Sequence, residues 1–308
     1  MLLKAYTFCN FGRSCAQVRK LHLPTSLCNG RSNLSMETGP VIMSSNEYGV
    51  SSSSIDYPVL IMHGVLGSKN NWNSLAKALN KDTKRKVIAL DARNHGDSPH
   101  TAEFSYDLMA MDVIYLMDQR KFNKACLIGH SMGGRAMMRV ALSYPERVEK
   151  LIVVDISPIQ ISATLVIEKY LDLFENLTID DNLPLSQGRR LADQLMNEYV
   201  PELDIRQFLL SNLTKVNGKF RWKANITSLK NSFENIVKFP LTTEVYNNPV
   251  LFVGGTKSDY LKVEDQDRIL KYFPRAQFEY LPAGHWVHAE QPVAFLKLSA
   301  EFIKSSNE

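Results

Sequence analysis

The chain has 308 residues, 44% apolar and 22% charged, an ordinary globular composition with enough length to bury a sizeable core. Its net charge of +4 sits in the first forty residues, where Lys4, Arg13, Arg19, Lys20 and Arg31 face one acid, Glu37. The remainder is neutral, with 31 basic and 31 acidic residues, and so has no basic footprint for nucleic acid or anionic lipid.

Residues 1–40 are rich in Leu, Ser, Cys and Arg and hold no acid before Glu37, which predicts a mitochondrial presequence, disordered and outside the fold. Cys9, Cys15 and Cys28 lie inside it, so its removal would leave Cys126 alone and no intramolecular disulfide. No zinc spacing is present, and neither a metal nor an organic cofactor is expected. No apolar run approaches the roughly 20 residues of a membrane-spanning helix, so no transmembrane segment is expected.

A single domain is predicted over residues 41–308. It opens with a polar surface loop, Ser44 to Ser54, between short leading strands. Val59-Leu60-Ile61-Met62 reads as a strand, followed by His63-Gly64 and a helix from Trp72 to Leu79. Lys86 to Asp91 is the next strand, then a polar turn and a helix from Tyr106 to Arg120. Ala125-Cys126-Leu127-Ile128 leads through Gly129-His130-Ser131-Met132-Gly133 into the helical Arg135 to Leu142, and Val148 to Asp155 is the fourth strand. Strands apolar on both faces, separated by helices of this length, predict an α/β fold with a doubly wound, mostly parallel sheet. From Ser157 to Asn248 the alternation stops. The spacing of Leu165 to Leu171 and Ala192 to Met196 is helical, so residues 157–248 are expected to form a helical lid inserted before the penultimate strand. Pro249 to Gly254 resumes the sheet, and a helix from Glu264 to Tyr272, a strand from Ala276 to Leu281 and a helix from Pro292 to Ile303 complete it.

The Gly-x-Ser-x-Gly pentapeptide on a strand-to-helix turn carries the chemistry. Such a corner strains the serine and exposes its hydroxyl above the sheet, while the glycines remove side chains that would collide with strand and helix. Ser131 is the expected nucleophile, and it needs a base. His285, in Pro282-Ala283-Gly284-His285-Trp286 after the last strand, is best placed, and His288 is its competitor. Two acids are open: Asp155, preferred because it ends its strand directly, and Asp259 in the loop after the next strand. The amides of Met132 and Val65 are the expected oxyanion donors. His63 is read as a hydrogen-bonder holding the Val65 loop, and Asp91 to Pro99 as a polar turn pinned by its own hydrogen bonds. Aromatic and methionine residues of the lid are read as its packing.

Five motifs in order, His63 to Lys69, Asp91 to Pro99, Gly129 to Gly134, Val154 to Pro158 and Gly284 to Glu290, with the lid block Gly218 to Trp222, resemble the alpha/beta-hydrolase domain-containing protein 11 family from about residue 58 onward. The resemblance implies an alpha/beta-hydrolase fold, a mitochondrial matrix location, ester and diacylglycerol lipase activity, and an association with a 2-oxoacid dehydrogenase complex. Some members of that family carry an aspartate in the lid where this chain has Thr227, a departure that favours Asp155 as the acid. The expected function is a serine hydrolase that cleaves small-molecule or lipid carboxylic esters through an acyl-enzyme on Ser131. A thioesterase or amidase of the same fold, and a partner-binding protein, are the alternatives.

Overall fold

The computed structural model describes residues 39–49, 57–159, 165–240 and 242–306. In chain order their strands are β1 (Ser45–Tyr48), β2 (Val59–Met62), β3 (Val87–Leu90), β4 (Ala125–His130), β5 (Val148–Val154), β6 (Leu213–Val216), β7 (Lys219–Trp222), β8 (Val250–Gly255) and β9 (Ala276–Leu281). The helices of the sheet layers are α1 (Asn73–Thr83), α2 (Tyr106–Gln119) and α3 (Met132–Ser143), each placed between two parallel strands. The lid adds α4 (Leu165–Asn176), α5 (Leu185–Met196), α6 (Leu203–Leu210), α7 (Ile226–Asn231) and α8 (Phe233–Val237). The carboxyl-terminal part contains α9 (Gln266–Ile269), α10 (Val287–Glu290) and α11 (Pro292–Lys304).

Seven strands form one sheet in the order β1-β3-β2-β4-β5-β8-β9, parallel except for β1. Successive side chains of a strand point to opposite faces, and here both faces are apolar. Leu60, Met62, Ile88, Leu127 and Val153 share a core with Met109 and Val113 of α2 and Met137 of α3. Val59, Ile61, Ala89, Ile128 and Val154 share the other with Ala76 and Leu79 of α1 and Phe295 and Ile303 of α11. Each such Val, Leu, Ile, Met or Phe side chain contributes about 1.5–3 kcal/mol by leaving water, so the continuous apolar runs of the sequence are explained by a sheet covered on both sides. Parallel connections also bring the carboxyl ends of β2, β4, β5 and β8 to one edge, where ligands bind in sheets of this kind.

The lid occupies the expected place between β5 and β8, but it is not all helical. β6 and β7 form a hairpin whose register, Val216 opposite Lys219, leaves the two-residue turn Asn217-Gly218. Both turn residues have positive φ, 51° and 79°, the conformation that Asn-Gly adopts most readily. Ring stacking of Phe174 on Trp222 (4.0 Å) ties α4 to the hairpin. A buried arginine joins lid to sheet layers: the Arg135 guanidinium donates to the carbonyls of Ser157, Ile159, Ile236 and Val237.

Three further expectations need correcting or delimiting. Ser45–Tyr48, read within a loop, is strand β1, paired antiparallel to β3. As a short edge strand it has one partner and no apolar run to betray it. The helix expected from Glu264 to Tyr272 shrinks to α9 after a single 3-10 turn, and beyond it the Tyr272 amide donates to the Ile269 carbonyl, three residues back, instead of continuing the four-residue ladder. Residues 1–38 of the expected presequence, residues 50–54 of the leading loop, and residues 160–164 of the lid lie outside the described residues. Gly39 and Pro40, the last two residues of that expected leader, are described, and the Gly39 carbonyl accepts from Arg93 Nη2 at 3.1 Å, so the leader's end is corrected to before Gly39.

The turn after β3 is bolted down by ions in the interior. Arg93 Nε and Nη2 donate to the two oxygens of Asp112 at 2.7 Å, and neither side chain is exposed. Asp112→Ala would strand the guanidinium charge, so it is expected to destabilise the fold by about 3–5 kcal/mol in urea unfolding. A loss under 1 kcal/mol would show that the pair is dispensable.

Candidate active site

Ser131 sits between β4 and α3 at φ 53° and ψ −118°, a conformation that costs a non-glycine residue about 1–3 kcal/mol and is held by its surroundings. The glycines on either side make that corner possible. A Cβ on Gly129 would fall 2.3 Å from the Gly133 carbonyl oxygen, and one on Gly133 would fall 2.5 Å from the carbonyl oxygens of Met62 and His63. The expected reason for the pentapeptide, close approach of strand, turn and helix, is therefore visible atom by atom.

Asp155 ends β5, also at positive φ (48°), and its side chain is fully buried. Its Oδ1 accepts from the Gly255 amide at 2.9 Å. Its Oδ2 accepts from His285 Nδ1 at 2.7 Å and from the Ser258 hydroxyl. The carboxylate thus fixes the proton of His285 on Nδ1 and leaves Nε2 with a free lone pair. Asp259 is elsewhere: its side chain is 84% exposed and its ion-pair partner is Lys262, at 4.0 Å. The structure brings Asp155, not Asp259, to the histidine. The loop after β8 still serves the site, through the neighbours of Asp259.

The loop that carries His285 is restrained at several points. His130 Nε2 donates to the His285 carbonyl at 2.9 Å, and the Gly284 amide donates to Glu290 at 2.8 Å. Lys257 and Thr256 donate backbone hydrogen bonds to Ala283 and Leu281, tying this loop to the one after β8. Burial, with neighbouring histidines, pushes the His130 pKa well below its ordinary value. His288, the competing base, is buried in α10 with its ring stacked on Trp72 at 4.2 Å, and burial pushes it down to about 3. It packs; it does not face the serine's cavity.

On the far side, the loop His63 to Gly67 closes with a backbone hydrogen bond from Gly67 to Gly64. His63 holds it as expected, its Nε2 accepting from the Ala92 amide at 3.1 Å while Nδ1 donates to the Gly64 carbonyl at 2.7 Å. His95 adds a second pin, accepting from the Leu66 amide at 3.2 Å. Burial lowers the pKa of His95 to about 3, so it stays a neutral acceptor. The polar turn from Asp91 is pinned by Lys69, whose ammonium reaches Asp91 Oδ2 and Asp97 Oδ2 at 2.5 Å each.

These parts meet around a cavity of about 220 Å³ lined by Ser131, His285 and His130 among apolar walls from Val65, Leu66, Ile167, Ile205, Phe208, Leu209 and Trp286. Met132, the first residue of α3, lines a small space that Val65, Ser131 and Tyr260 of the cavity also line. First-turn amides of a helix lack intrahelical acceptors and sit at its positive end, so this position suits an oxyanion donor. Of the lid aromatics, Phe174 and Trp222 pack, whereas Tyr170 and Phe208 line the cavity.

Tyr260 is a member of the site that the pentapeptide and its partners did not announce. Its ring stacks on His285 with centroids 3.8 Å apart and planes 25° apart. Burial, with Tyr170 and Asp155 nearby, pushes its hydroxyl up to about 12, so the ring stays neutral. An aromatic face beside an imidazolium is worth about 0.5–2 kcal/mol. Tyr260→Leu is therefore expected to cut kcat about tenfold, because the imidazolium formed during attack loses the aromatic face. Tyr260→Phe keeps the face and should restore kcat. A leucine variant with unchanged kcat would show that the ring only fills space.

The chain matches the alpha/beta hydrolase fold family model over residues 57–292. It is 40% identical over 299 residues to the zebrafish (Danio rerio) protein named sn-1-specific diacylglycerol lipase ABHD11, covering 94% of this chain and 93% of that one. It is 32% identical over 250 residues to esterase YbfF of Escherichia coli, covering 80% of this chain and 92% of that one. Among solved structures, a marine microorganism esterase superposes with a TM-score of 0.79 at 32% identity, over 85% of this chain and 99% of that one.

Proposed function

The chain belongs to the alpha/beta hydrolase fold family, and we propose that this carboxylic ester hydrolase acts on lipid esters, diacylglycerols among them, through an acyl-enzyme on Ser131. The observation that carries the reading is the 2.7 Å bond between Asp155 and His285 Nδ1. It presents a basic Nε2 in the apolar cavity that Ser131 also lines. The diacylglycerol part is supported by the zebrafish relative's name and by the apolar walls of the cavity.

In the first half-reaction Ser131 Oγ attacks the ester carbonyl carbon while His285 Nε2 takes the hydroxyl proton. The Asp155 carboxylate, itself held by Gly255 and Ser258, keeps the imidazole in the right tautomer and stabilises the imidazolium. Negative charge on the former carbonyl oxygen is met by the amides of Met132 and Val65. The carbon–oxygen bond to the alcohol then breaks, with His285 returning its proton to the leaving oxygen. Water enters, gives a proton to His285 Nε2 and attacks the acyl carbon. Release of the acid returns that proton to Ser131. His130 and His288 stay neutral beside the imidazolium and add no opposing charge.

The composition of residues 1–40 supports a mitochondrial location. The 2-oxoacid dehydrogenase association rests on the family resemblance alone. The reaction class is tested by giving the purified protein the oxygen ester, thioester and anilide of one octanoyl chain, and dioctanoylglycerol. The account expects the oxygen ester to exceed the thioester in kcat/KM, negligible anilide cleavage, and fatty acid released from the glyceride. A thioester preferred tenfold would overturn it in favour of a thioesterase.

A further inference from the structure

We propose that a groove on the lid, beside the catalytic cavity, binds the apolar chain of the departing alcohol. The inference rests on the ester hydrolase reading and assigns the half of the substrate which that reading leaves without a place. The groove has a volume of about 1070 Å³, against about 220 Å³ for the cavity. The two spaces adjoin: Val166 and Tyr170, one turn apart on α4, line both.

The groove continues along Leu173 of α4 toward Leu195, Tyr199 and Val200 at the end of α5. Val166, Leu195 and Tyr199 are 44%, 43% and 69% exposed, so three large apolar side chains stand in water within one concavity. Lys169, Asp172, Glu198 and Glu202 line the same groove. Apolar side chains with charged ones among them suit a flexible hydrocarbon chain attached to a polar group, and exposed apolar surface gathered this way marks a binding site.

The order of events decides which chain goes where. After the first half-reaction the acyl chain is still bonded to Ser131 and must be held there, whereas the alcohol must depart before water can attack. Apart from Val166, which it shares with the groove, the cavity around Ser131 is walled by buried or half-buried residues. The groove opens to solvent through its exposed walls. The acyl chain therefore occupies the cavity, and the alcohol, with whatever second chain it carries, lies in the groove and leaves along it.

Methyl and octyl butanoate, used below their solubility limits, separate the two spaces, because they share an acyl group and differ only in alcohol length. The proposal expects the native protein to favour the octyl ester at least tenfold in kcat/KM. Leu195→Arg and Tyr199→Asp, each adding a charge at an exposed position, should raise KM for the octyl ester about tenfold and leave the methyl ester unchanged. Equal rates for both esters in the native protein would overturn the groove assignment and leave the ester hydrolase reading standing. So would variants that affect the two esters alike, whether through misfolding or because the surface serves a protein partner. Hydrolysis of neither ester by the native protein, with dioctanoylglycerol also left intact, would overturn both.

Discussion

Ser131→Ala is expected to lower kcat/KM for an octanoyl ester by at least about 10⁴-fold, with only the contribution of oxyanion donors and binding surviving. The loss is large because no neighbouring group can replace the hydroxyl: His130 is bonded to the His285 carbonyl, and among the described residues the one free cysteine, Cys126, lies buried on β4 with Glu149. Stability should hardly change. Alanine keeps the Cβ that the corner already accommodates and inherits the same positive φ, so urea unfolding should shift by less than about 1 kcal/mol. An unfolding midpoint near that of the native protein with activity within tenfold of it would remove Ser131 from the chemistry.

Asp155→Asn is the second large effect, and it separates the two acids. An amide at this position can no longer neutralise the imidazolium, and its NH₂ competes as a donor where His285 Nδ1 must donate. The change in a comparable triad costs about 10⁴-fold in kcat, and the same order is expected here. Asp259→Asn should change kcat less than twofold, since its carboxylate is solvated and paired only loosely with Lys262. Ser258→Ala removes one of three donors to the Asp155 carboxylate and should fall between them, at about tenfold. Steady-state kinetics of the three variants check this order. A damaging Asp259 substitution beside a harmless Asp155 one would reverse the assignment.

The parts of this fold that rest on burial were legible from residues alone. Val59–Met62, Val87–Leu90 and Leu151–Val154 are apolar at every position because a parallel sheet buries both faces, and no other local pattern produces such runs so regularly. Ser131 was legible because its corner needs glycine at two fixed offsets. β1 was hidden by its edge position, where Ser45, Asn46 and Glu47 can face water. The lid hairpin is a different matter: Asn217-Gly218 announces a two-residue turn, but the helical spacing of Leu165 to Leu171 and Ala192 to Met196 before it predicts a helical lid throughout. Asp155 and Asp259 both follow sheet strands, and a one-dimensional spacing cannot tell a carboxylate turned inward from one turned to solvent. Ser258 and Tyr260 lie within two residues of Asp259, so the right loop was in view with the wrong side chain foremost. Stacking partners such as Tyr260 and His285 are 25 residues apart, and only the return of the chain to the same sheet edge brings them together.

The most direct test is covalent capture of the nucleophile. Intact-mass and peptide-mapping mass spectrometry after treatment with a fluorophosphonate should show one adduct per chain, on the peptide that contains Gly129 to Gly133. The adduct should be absent from Ser131→Ala and formed far more slowly in His285→Ala, where nothing takes the proton. An adduct of equal yield in Ser131→Ala, or one mapped to another residue of the native protein, would contradict an enzyme built on the hydroxyl at the turn between β4 and α3.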